Sequence, residues 1–104
     1  MSTVEKLVRD KIPEIMASRG EKVVVRKVSG AELVRMLKLK LLEEVFEYLE
    51  SDQVEELADV VEVVLELART HGLSQEELEK IRLEKRDKRG GFSKGLVVSF
   101  SHAP

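Results

Sequence analysis

LLEEVFEYLESDQVEELADVVEVVLELA, residues 41–68, decides the fold. Apolar residues recur at spacings of three and four on both sides of Ser51-Asp52, the period of amphipathic helices. The break between the two runs has room for little more than a tight turn, so the helices are expected to pack antiparallel as a hairpin. The charges are sorted as well. This stretch carries ten acidic residues and no basic one, whereas the rest of the chain carries ten acidic and eighteen basic residues.

Working outward, Ser29 and Glu32 match a capping box at the start of the first arm. Leu33, Met36, Leu37, Leu41, Leu42, Val45, Phe46 and Leu49 then form one stripe, predicting a helix over 31–50. Asp52 is placed to cap the second arm, whose stripe is Val54, Leu57, Ala58, Val61, Val64, Leu65 and Ala68, and which ends at Gly72 after His71. Ser74 and Glu77 repeat the capping pattern and open a further helix through Leu78, Ile81 and Leu83 into the basic run before Gly90-Gly91. Pro13 suits a helix first turn and Gly20 the position past its end, predicting a short helix over 12–18. Two β-branched runs remain, KVVVRKV at 22–28 and LVVSF at 96–100, and they are expected to pair as a small ribbon.

Composition bounds the rest. The 104 residues suit a single domain, 1–104. A chain this short buries little more than about 60% of its unfolded surface alone, so self-association is expected. The fold expected is therefore mainly α: an antiparallel hairpin completing a four-helix core by oligomerisation, as homodimer or homotetramer, with a two-stranded β ribbon. Cysteine is absent, which excludes disulfides, zinc-thiolate sites and thiol catalysis. No apolar run has signal-peptide or membrane-spanning length, so a cytoplasmic protein with no membrane partner is expected.

The acids carry the chemistry. Counted from the turn, Glu47 and Glu56 lie at one height and Glu44 and Asp59 at another, roughly 6 Å and 10 Å away at the helical rise. Residues three apart share a face, so each helix presents its pair together and four carboxylates can converge. Two like charges about 5 Å apart repel by roughly 3 kcal/mol at an effective dielectric near 20. With no lysine or arginine inside the stretch, protons or a hard divalent cation must neutralise them, and oxygen-only ligands suit Mg²⁺, with Mn²⁺ as the alternative. Asp59, among the apolar neighbours of LADVV, is costly to bury unpaired. The competing reading makes all these acids solvated outer faces; Glu50, Glu55, Glu62 and Glu66 are read as surface residues, with Glu62 close enough to Asp59 to assist. A di-iron carboxylate site would need Glu-x-x-His ligands, and neither acidic motif contains a histidine.

KLVRDKIPEI at 6–15, KLLEEVFEYLE at 40–50, EELADVVEVVLELA at 55–68 and EKRDKRGGF at 84–92 together resemble the MazG-like and phosphoribosyl-ATP-pyrophosphohydrolase-like members of the all-α nucleoside triphosphate pyrophosphatase superfamily. The resemblance spans nearly the whole chain. It implies hydrolysis of a nucleoside triphosphate, including non-standard nucleotides, to a monophosphate and pyrophosphate, with Glu44, Glu47, Glu56 and Asp59 as metal ligands. It also implies that Glu43 orients or deprotonates the attacking water. Phosphoribosyl-ATP as substrate, or a non-catalytic helical module for oligomerisation or nucleotide sensing, are the alternatives.

A polyphosphate also needs cations. Lys85 and Arg89 share a face at i and i+4 and are candidate phosphate clamps, with Arg9 and Lys11 as further ones; simple complementation of a helix C-terminus is the other reading of the 85–89 run. So few cations on an acidic protein argue against a nucleic-acid surface. Phe92 is the candidate for stacking on a base. His102 is expected in a frayed tail.

Overall fold

The computed structural model describes residues 4–99 and residue 101. Four helices follow in order: α1 Ile12–Ser18, α2 Gly30–Ser51, α3 Val54–Thr70 and α4 Gln75–Arg89. Pro13 sits in the first turn of α1, and Gly20 follows its end at φ 81°. No helix among the described residues is long and apolar enough to cross a membrane.

The hairpin turn differs from expectation in one respect. Asp52 does not cap α3; it ends α2 in the left-handed conformation (φ 56°, ψ 22°), its N–H donating to the carbonyl of Tyr48 at 2.8 Å. Aspartate is among the few residues that adopt this conformation at low cost. Gln53, extended at φ −84° and ψ 134°, takes the N-cap position of α3 instead.

The two capping boxes also part company. Ser74 accepts from the Glu77 N–H and Glu77 Oε1 accepts from the Ser74 N–H, each at 3.1 Å. Ser29 has the extended backbone of an N-cap but makes no capping bond with its side chain. Glu32 is taken by Arg26, whose Nη2 lies 3.0 Å from it while Nε donates to Glu5 at 2.7 Å.

α2 packs on α3, and α3 on α4; α1 packs against no other helix. Of the apolar side chains described, only Leu37, Val63 and Ala68 are buried. The stripe expected on α2 splits in two: Leu33, Met36, Leu37 and Leu41 turn toward the fold, whereas Leu42, Val45, Phe46 and Leu49 face solvent. Val54, Leu57 and Val61 on α3 are exposed beside them. The radius of gyration is 17.9 Å, against about 13 Å for a compact chain of this length. Among the described residues, little apolar surface is closed into a core.

The expected ribbon is not formed among the described residues. Residues 22–28 and 96–99 carry no strand, and Val24, Val25, Leu96, Val97 and Val98 stand exposed; Phe100, the last residue of the second run, and His102 lie outside the described residues. A lone two-stranded ribbon is marginal without a face to pack on.

Candidate metal centre

The amphipathic periods of α2 and α3 bring Glu44 to the hairpin interface, facing Glu56 and Asp59, which are three residues apart on α3. Each of the three offers a carboxylate oxygen, and these atoms all lie within 4.8 Å of one another. Glu44 is the most enclosed, at 6% exposure the only buried charged residue among those described. Its Oε1 lies 3.3 Å from Lys40 Nζ. Oε2 of Glu44 and Oε2 of Glu56 are both buried without a hydrogen-bond partner. Orphaned acceptors of this kind are rare in folded proteins and costly to keep.

Burial raises the pKa of Glu44 and the neighbouring Glu47 adds to the rise, while Lys40 opposes it. Glu56 is pushed up to about 7, first by desolvation, then by Glu47 and Asp59. Desolvation and mutual repulsion thus favour proton uptake at Glu44 and Glu56, and a divalent cation would compete with it. Three carboxylates on one side leave the other coordination positions for water and phosphate oxygens, which fits Mg²⁺ or Mn²⁺. The donor set and the two orphaned oxygens fit such an ion.

The fourth expected ligand, Glu47, is exposed at the rim, close enough to Glu44 and Glu56 to raise both. Glu43 lies beside the trio, its Oε1 accepting from Lys6 Nζ at 2.7 Å and its Oε2 from Lys40 Nζ at 3.4 Å. The hydrogen bond from Lys6 holds its carboxyl below the usual range.

Cations reach the cluster from outside the 41–68 stretch, where the sequence points only to protons and a metal. Lys40 was legible, since it precedes Glu44 by one helical turn. Lys6 carried no such signal, because the residue it meets is 37 positions away. Arg9, a candidate for phosphate, lies on Asp59 instead, with Nη2 2.5 Å from Oδ1 and Nη1 3.9 Å from Glu62.

The remaining candidates are not gathered here. Lys11, Lys85 and Arg89 are exposed and make no ion pair among the described residues. Phe92 is 98% exposed.

No family model, curated protein or solved structure matches this chain. The class of protein is thus defined by its chemistry alone: a helical hairpin with a three-carboxylate candidate cation site.

Proposed function

We propose that this protein is a divalent-cation-dependent nucleotide pyrophosphohydrolase, converting a nucleoside triphosphate and water to a nucleoside monophosphate and pyrophosphate. The observation that carries the reading is the pair of buried, unpartnered oxygens on Glu44 and Glu56, set beside Asp59. Glu44, Glu56 and Asp59 hold the cation, with Glu47 completing the set from the rim. When bound, Mg²⁺ or Mn²⁺ neutralises charge on the polyphosphate and on the attacked phosphorus. Water attacks the α-phosphorus, the bond to the bridging oxygen breaks, and pyrophosphate leaves with that electron pair.

Glu43 orients the water. While Lys6 is bound to it the carboxylate is a weak base, so the substrate's phosphates must draw Lys6 away before Glu43 takes the proton. Phe92, standing free, is available to stack on the base.

The assembly belongs to the same proposal. The exposed stripe of Leu42, Phe46 and Leu49 on α2, with Val54, Leu57 and Val61 on α3, packs on the same face of a second copy to complete a four-helix core. In that dimer or tetramer, residues 22–28 and 96–99 gain strand partners, and Lys85 and Arg89 reach the acidic cluster of the neighbouring subunit.

Pyrophosphate release from canonical, deoxy and modified triphosphates and from phosphoribosyl-ATP tests the reading, repeated with Glu44→Gln and Asp59→Asn. Turnover in the wild type and loss of at least a hundredfold in both variants is expected. A wild type that hydrolyses none of the panel, or variants with full Mg²⁺-dependent rates, would refute it; turnover of phosphoribosyl-ATP alone would assign that substrate instead.

A further inference from the structure

We infer that Arg9 is a resident counter-ion of the cation site, exchanged from Asp59 to a substrate phosphate when the divalent cation enters. The inference rests on the metal-binding reading above and adds how an empty site is kept folded and how cation entry prepares phosphate binding. The guanidinium of Arg9 lies on the same carboxylate that completes the trio, with Nη2 2.5 Å from Asp59 Oδ1. A dication on that carboxylate and a guanidinium on its oxygen repel each other, so the two compete for Asp59.

The contact is built to be released. Arg9 and Asp59 are 54% and 36% exposed, and ion pairs of such exposure contribute little to stability. Arg9 belongs to an irregular segment ahead of α1, and α1 packs on no other helix. The polar ties of that segment to the hairpin are exposed: Lys6 on Glu43, Arg9 on Asp59 and Glu62, and Glu5 through Arg26 to Glu32. A planar fork that suits a carboxylate suits a phosphate equally, so the freed Arg9 has a new partner where the polyphosphate arrives. The unpartnered Oε2 of Glu44, on a side chain more than nine-tenths buried, marks the place the cation takes.

Titration with Mn²⁺ alone, followed calorimetrically, is the test, using wild type, Arg9→Gln and Asp59→Asn. Arg9→Gln is expected to bind Mn²⁺ three- to tenfold more tightly than wild type, and Asp59→Asn to bind it at least tenfold more weakly. Limited tryptic digestion of the wild type supplies a readout free of mutation, with cleavage after Arg9 expected to be faster once Mn²⁺ is added. If Asp59→Asn weakens binding but Arg9→Gln binds no more tightly than wild type, or cleavage after Arg9 is no faster, the counter-ion role is overturned and the metal site stands. If neither wild type nor Arg9→Gln binds Mn²⁺, both readings fall.

Discussion

Lys40 and Glu44, one turn apart on α2, form a half-satisfied pair: Nζ stands 3.3 Å from Oε1, while Oε2 of the same buried carboxylate has no partner. A charge half neutralised inside a hairpin is a local weakness that serves a purpose only when something else completes it.

Glu44→Gln is therefore expected to stabilise the cation-free protein while abolishing Mn²⁺ binding. Removing the orphaned charge is worth about 1 kcal/mol, or roughly 4–8 °C in Tm for a domain of this size. Thermal unfolding in chelator checks it; a Tm equal to or below the wild type's would show that the carboxylate is not under strain.

The cluster also sets a pH dependence of definite sign. Glu56 titrates near 7 in the folded state against an ordinary value of 4.5. A raised folded value means the native state holds a proton the unfolded chain has lost, so this contribution is complete below about 4.5 and is lost as pH climbs through about 7. In chelator, wild-type Tm should decline across that window more steeply than that of Glu56→Gln, and saturating Mn²⁺ should remove the difference. Parallel profiles for the two proteins in chelator would contradict the assignment.

Ser74→Ala should cost about 1 kcal/mol, the usual value of an N-cap bond, because Ser74 Oγ accepts from the Glu77 N–H. Ser29→Ala should change stability by less than about 0.5 kcal/mol, since Ser29 makes no such bond. Urea unfolding of the two variants distinguishes them, and equal losses would mean that Ser29 caps α2 in solution.

Phe46→Glu combined with Leu49→Glu places charge on the exposed face of α2. Sedimentation should show wild type as a dimer or larger and the double variant as a monomer. An unchanged sedimentation coefficient would remove this face from the subunit contact.

Much of this architecture was legible from local rules. The helix over 12–18 coincides with α1, and the one predicted over 31–50 falls within α2. Glu44, Glu56 and Asp59 come together, whereas Glu47, placed at the height of Glu56 by the count from the turn, stays outside the trio. What local rules could not supply were contacts between distant positions. Lys6 meets Glu43 across 37 residues and Arg9 meets Asp59 across 50, and no period or cap encodes such pairs. The capping pattern at Ser29 misled because Arg26 competes for Glu32, a choice invisible to a four-residue motif. The β-branched runs are limited in another way: strand propensity reports a fit to a pleated neighbour, and residues 22–28 and 96–99 meet none among the described residues.

The left-handed residue at Asp52 has a consequence for how this chain can vary. Only Asp52 and Gln53 separate α2 from α3, so a residue inserted beside Gln53 would lengthen the bend and shift Glu56 and Asp59 along the hairpin relative to Glu44 without altering any of them. Length at this bend is thus inherited information in its own right.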